Sequence, residues 1–256
     1  MKKLFALLLA AAMVLSMAAC GSSTGTETTA AAAADATTAA PETEATTVEK
    51  VDTSNMTPEE KAAAEAEIRN AISLLYDRNY IVNEIAQAGQ VPASSFVAMG
   101  MTDADGSEFY KNAGHNDGFD GYWDVSEDAY EANFEQAIAT LSKYYDYDET
   151  TGKFTNFPTL TYLYNTNESH KAIGEYLASV LAGVGITMNL ENQEWNTFLN
   201  TRKAGDYSVA RNGWIADYND PICFLDMWIT ASGNNDVQFG KGDNATVKAY
   251  SLDLTP

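Results

Sequence analysis

Arg211, Trp214 and Asp217 fall in one short stretch, Ala210-Arg211-Asn212-Gly213-Trp214-Ile215-Ala216-Asp217-Tyr218-Asn219-Asp220-Pro221. A guanidinium presents a planar fork of donors that matches a carboxylate, and an indole supplies a flat apolar wall. Opposite charges flanking a large aromatic at the end of a strand make a small-ligand site. No nucleophile stands with a base in a Ser-His-Asp order, and no metal-ligand cluster or phosphate-binding glycine loop accompanies these residues. Binding without chemistry on the ligand is therefore the expectation, with no catalytic residue, no metal and no cofactor.

The elements that must position this stretch read as an α/β unit. Leu160, Tyr162 and Tyr164 alternate with Thr159, Thr161 and Leu163, a strand. A helix over residues 169–182 presents Ile173, Leu177, Val180 and Leu181, and Gly183 and Gly185 break it. Residues 186–190 read as a second strand, residues 194–204 as a helix stopped by Gly205, and residues 207–211 as a third strand. Such a β-α-β-α-β order predicts parallel strands with right-handed crossovers. After it, Asn219 or Asp220 is expected to cap a helix with Pro221 at its first position. Upstream, Thr57-Pro58-Glu59-Glu60 is a capping box opening a helix with Ile68, Ile72 and Leu75 on one face. Asn79 is expected to restart a helix carrying Ile81, Val82 and Ile85 and ended by Gly89, and Ser126 to cap one with Tyr130, Phe134, Ile138, Leu141 and Tyr145 along a face.

Composition narrows the setting. The chain has 256 residues, 45% hydrophobic, enough for a sizeable core. With 15 basic and 36 acidic residues its formal net charge is −21, which argues against nucleic acid as a partner. Lys2 and Lys3 precede an apolar run over residues 4–13 that is too short to span a bilayer. Leu15-Ser16-Met17-Ala18-Ala19-Cys20 resembles a lipobox, so residues 1–19 read as a lipoprotein signal peptide and Cys20 as the lipidated N-terminus. Residues 20–56 are Thr-, Ala-, Ser- and Glu-rich and read as a disordered tether, leaving residues 57–256 as the folded part. Cys223 is then unpaired and expected to be a small buried hydrophobe. In the loop-like stretch 92–127, Asp103-Ala104-Asp105-Gly106-Ser107-Glu108 reads as a structural turn. Asp117, Asp120 and Asp124 are the residues a glycoside-cleaving alternative would need.

Several ordered motifs carry a resemblance. Tyr164-Asn165-Thr166-Asn167-Glu168-Ser169-His170-Lys171, Asn192-Gln193-Glu194-Trp195, Gly205-Asp206-Tyr207, the stretch from Ala210 to Pro221 and Ser232-Gly233-Asn234-Asn235 follow in sequence. With Ala71-Ile72 to Asp77-Arg78 and Pro92-Ala93-Ser94-Ser95-Phe96-Val97, they resemble the oligopeptide-binding proteins of peptide ABC transporters, over residues 66–250. The resemblance implies a periplasmic-binding-protein-like (type II) α/β fold, anchored by lipid at Cys20 on the extracytoplasmic face of the cell membrane. It implies capture of oligopeptides for delivery to the permease subunits of the transporter. Asp217 would meet the peptide ammonium, Arg211 and His170 the carboxylate, and Trp195 and Trp214 would line side-chain pockets. Members of the family are about twice as long as residues 57–256, so the chain is expected to represent mainly the later of two lobes, as a truncated or internally deleted member. The rival expectation is a remnant surface lipoprotein that acts as an interaction module without peptide transport.

Overall fold

The computed structural model describes residues 48–241, apart from 114, 117 and 118, and only the backbone of 113, 115, 116, 119 and 120. These residues belong to one compact unit, Thr46–Pro256.

Helix α1, Pro58–Leu74, opens as its sequence requires. Glu60 N donates to Thr57 Oγ1 at 3.2 Å and Thr57 N donates to Glu60 Oε2 at 2.8 Å, so two otherwise unpaired amides are satisfied together. Ile68, Ile72 and Leu75 are all buried. After α1, Asp77 rather than Asn79 is the cap, accepting from Asn79 N and Tyr80 N. One α-turn, α2 (Arg78–Tyr80), passes into a π-helix, Ile81–Ala86, that ends at Gln87 in the left-handed region, before the glycine expected to stop it. A carboxylate two residues ahead of Asn79 reaches two amides at once, so it takes the cap.

A short helix α3, Phe109–Ala113, and an antiparallel pair, β1 (His115–Asn116) and β2 (Phe119–Asp120), interrupt the long loop. In its turn, Asp103 N donates to Ser107 O, Asp105 Oδ1 accepts from Ser107 N, and Asn112 donates to Asp103 Oδ2. The glycosidase alternative cannot be followed: Asp117 and the side chain of Asp120 lie outside the described residues, while Asp124 Oδ1 accepts from Ser126 N at 3.0 Å. Ser126 starts the next helix without a side-chain cap, through a 3-10 turn, Glu127–Ala129, that leads into α4, Tyr130–Leu141. Helices α1 and α4 pack together, with Leu141 and Tyr145 fully buried. Part of the segment read as tether is held here. Val51 N donates to Lys143 O at 2.9 Å, and Val51 and Met56 pack against the core.

A small hairpin, β3 (Tyr147–Asp148) with β4 (Lys153–Phe154), leads to the parallel sheet. Strand β5 is Leu160–Asn165, α5 Glu168–Gly183, β6 Met188–Gln193, α6 Trp195–Ala204 and β7 Val209–Ala210. The order is β6-β5-β7, every pair parallel, in the register Tyr162↔Leu190 and Tyr162↔Val209. The alternation that predicts this β-α-β-α-β unit therefore holds, with β6 starting two residues later than expected. Strand β7 is shorter than expected, but Ser208 N→Thr161 O at 3.2 Å and Arg211 N→Leu163 O at 2.9 Å extend its pairing at both ends. Right-handed crossovers running first to one side of β5 and then to the other put α5 and α6 on opposite faces. On the α5 face, the Tyr162 ring lies so close to Gly174 that a Cβ there would meet it at 3.0 Å. Leu163, pointing the other way along the strand, is fully buried, as is Phe198 of α6. Gly205, at φ 72°, ends α6 in a left-handed turn.

Beyond β7, Asp220 Oδ1 accepts from Ile222 N at 2.9 Å and so opens α7, Ile222–Leu225. Pro221 sits before that helix rather than at its first position. Cys223 is buried, as expected of a small hydrophobe, with its Sγ 3.3 Å from the Tyr218 carbonyl oxygen.

Candidate functional site

In a parallel sheet all strands end at one edge, and the loops leaving that edge build the site. Here β5 runs into His170, β6 into Trp195, and β7 into Arg211, Trp214 and Asp217. All five residues singled out in the sequence follow the carboxyl ends of the three strands. The chain moves from β5 to one neighbour, then crosses to the other, so the connections diverge between β5 and β7, where open α/β sheets bind ligands.

His170 and Arg211 flank that crevice from its two sides. Asn167 caps α5 by accepting from His170 N at 3.1 Å, which leaves the imidazole free of capping duty. Its Nδ1 is buried and has no hydrogen-bond partner among the described residues. Burial first, and then the positive charge of Arg211, hold the His170 pKa below the ordinary histidine value, with the Asn165 backbone acting the other way. Val209 pairs with Tyr162 and Arg211 stands two residues further on, so the Arg211 side chain leaves on the α5 face, and its charge acts on both His170 and Tyr162. Burial lowers the Arg211 pKa as well, offset by Tyr162 and reinforced by Arg202. The guanidinium lies over Gly213, where a Cβ would stand 2.8 Å from Nη2.

Arg211 makes no ion pair with Asp206, Asp217 or any other described carboxylate. Asp217 is exposed and its carboxylate has no hydrogen-bond partner among the described residues. The two opposite charges are thus not spent on each other. Trp195 is the first residue of α6, after Glu194 as its cap, and is 47% exposed; the core position of that turn belongs to Phe198. Trp214 is 38% exposed. Both indoles therefore offer apolar surface at the strand ends instead of filling the core.

Two residues near this edge were given no role in the sequence reading. Arg202 donates from Nε to Asp236 Oδ2 at 2.7 Å, a largely buried ion pair, and its guanidinium lies 5.1 Å from the Phe198 ring centre. Asn235, also buried, donates to Ile229 O and Phe239 O and accepts from Phe239 N, bracing the segment next to that pair. The spacing of Phe198 and Arg202 on one helical face was the available signal for the first; nothing in the sequence marks its carboxylate partner.

A separate groove of 530 Å³ lies between α5 and the amino end of β6, lined by Glu175, Ala178, Ala182, Ile186 and Met188 among others. It is at the opposite end of the sheet from the five residues, and the one charged residue of its lining, Glu175, pairs with Lys171 at 3.7 Å.

Comparison with known proteins gives a consistent result. Residues 22–236 match the family model described as bacterial extracellular solute-binding proteins, family 5 Middle. The periplasmic oligopeptide-binding protein OppA of Salmonella typhimurium is 34% identical over 175 residues, which is 67% of this chain and 28% of that protein. Among solved structures, Burkholderia pseudomallei OppA superposes with a TM-score of 0.54 at 28% identity, covering 68% of this chain and 31% of that one. Haemophilus influenzae OppA in complex with RPPGFSPFR gives 0.51 at 28% identity, covering 73% and 36%. The chain thus spans about a third of the length of the proteins it resembles.

Proposed function

The chain belongs to the bacterial extracellular solute-binding proteins of family 5, and from that premise we propose that it captures oligopeptides for a peptide ABC importer. Its sheet and helices form one α/β lobe of the type II binding-protein fold. In this reading Asp217 takes the peptide ammonium, Arg211 and His170 take the carboxylate, and Trp195 and Trp214 wall the side-chain pockets. Lipidation at Cys20 holds the protein on the extracytoplasmic face of the membrane, from which it delivers ligand to the permease subunits. Among the described residues no helix is long and apolar enough to cross a membrane.

The observation that carries the reading is the pair of uncommitted opposite charges at the carboxyl edge of the sheet. A zwitterion completes both with charge-assisted bonds, and flat indoles accept varied side chains without demanding hydrogen bonds. Calorimetric titration with mixed tri- to pentapeptides tests it. Saturable heat with the wild-type chain, weakened about fivefold in Asp217→Ala, is the expected result. Saturable heat that Asp217→Ala leaves unchanged would contradict the assignment of that residue.

A second reading, an interaction module without transport, draws on a different observation. Ile215 is 88% exposed, Ile229 57% and Phe239 59%, more apolar surface than a ligand end-group needs. Under that reading no peptide heat is seen, and Ile215→Ser changes association without touching ligand binding.

A further inference from the structure

The loop that carries Arg211 is held from the face opposite its own side chain. Besides its bond to Asp236, Arg202 donates from Nη1 to Asn212 Oδ1 at 3.0 Å and to the Arg211 carbonyl oxygen at 3.4 Å. Asn212 Oδ1 also accepts from Gly213 N at 2.8 Å. Strand alternation explains the arrangement: Val209 and Arg211 point to the α5 face, Ala210 and Asn212 to the α6 face. The last ladder bond of this segment is Arg211 N→Leu163 O, so beyond it the backbone depends on side-chain anchors.

We propose that Arg202 and Asn212 form a strap that positions the Arg211 guanidinium, and through it sets the preference for a ligand with a free carboxylate. Neither residue touches the ligand; both act through Arg211. The inference rests on the peptide reading above. Its physical basis is pre-organisation: a guanidinium already aimed at its partner loses less freedom on binding than one on a loose loop. Arg202 is suited to the task because its charge is neutralised by Asp236 and does not compete for the same anion. A planar fork is needed, since one side chain must hold a carboxylate and two carbonyl-type oxygens at once.

The test uses the full chain and two probes, a randomised tripeptide mixture and the same mixture amidated at its C-terminus, titrated calorimetrically. The wild type binds the free acids about tenfold more tightly than the amides. Asn212→Ala, an exposed position whose loss leaves the buried Arg202–Asp236 pair intact, brings that ratio close to one, and the affinity for the amides stays within about twofold. Arg202→Lys, which keeps the ion pair but not the fork, lowers the ratio in the same direction. In an Arg211→Ala background Asn212→Ala has no further effect on the ratio, because the strap then has nothing to aim. Without any ligand, amide exchange at residues 211–213 speeds up in Asn212→Ala while that of β5 and β6 is unchanged. A wild-type preference for acids that survives both Asn212→Ala and Arg202→Lys overturns the strap and leaves the peptide reading standing. A wild type that binds neither mixture overturns the peptide reading, and the strap with it.

Discussion

Gly213 decides where Arg211 can go. Because the guanidinium lies where a Cβ would be, Gly213→Ala must push it aside, and the atom displaced is the end of a flexible chain. The expected outcome is a denaturation midpoint within about 0.5 kcal/mol of wild type but free-acid peptides bound about fivefold more weakly, read by melting and titration together. Unchanged affinity would mean the guanidinium is not at the ligand. His170 gives a second residue-level prediction. Its pKa in the free protein is lowered, chiefly by burial. A bound carboxylate favours the imidazolium, so it raises the pKa of the complex above that of the free protein, and binding takes up a proton. Affinity for free-acid peptides therefore rises as the pH falls through the pKa of the complex and levels off below the lowered free-state value. His170→Asn flattens the profile; a profile that weakens toward acid would contradict the role. The placement of the histidine, the arginine and the two tryptophans after the strand ends was legible through ordered motifs and the β-α-β-α-β pattern. The contact between Arg202 and Asn212 was not, since only the crossover of α6 brings the two together.

At the level of elements, local chemistry was the better guide wherever one short signal sufficed. The capping box at Thr57, the apolar stripe of α4 and the stop at Gly205 stand where pattern and turn chemistry put them. The misses came where two local solutions compete. Asp77 outcompetes Asn79 for a cap, and the π-helix of Ile81–Ala86 obeys tertiary packing against α5, which the apolar spacing of Ile81, Val82 and Ile85 does not encode. Gly205→Ala tests how far the end of α6 depends on its left-handed residue. A Cβ there costs about 1–2 kcal/mol, so the urea midpoint falls while the slope of the transition stays constant. No fall in the midpoint would show that the helix end relaxes without cost.

For the molecule as a whole, the claim is that function follows sheet polarity. The five residues proposed to bind ligand all follow the carboxyl ends of three parallel strands, while an apolar groove sits at the other end. Composition set a boundary condition, an acidic chain, but it says nothing about which edge is used. That is fixed by the strand order β6-β5-β7. The rule that parallel sheets bind at their carboxyl ends selects the edge, and the family resemblance proposes the residues on it. The most direct measurement is an NMR titration of the isotopically labelled chain with mixed tripeptides. The account predicts saturable shifts of the indole N–H signals of Trp195 and Trp214 and of backbone amides at 166–170 and 211–217. Shifts confined to Ala178, Ala182, Ile186 and Met188, in the groove beside β6, would contradict it.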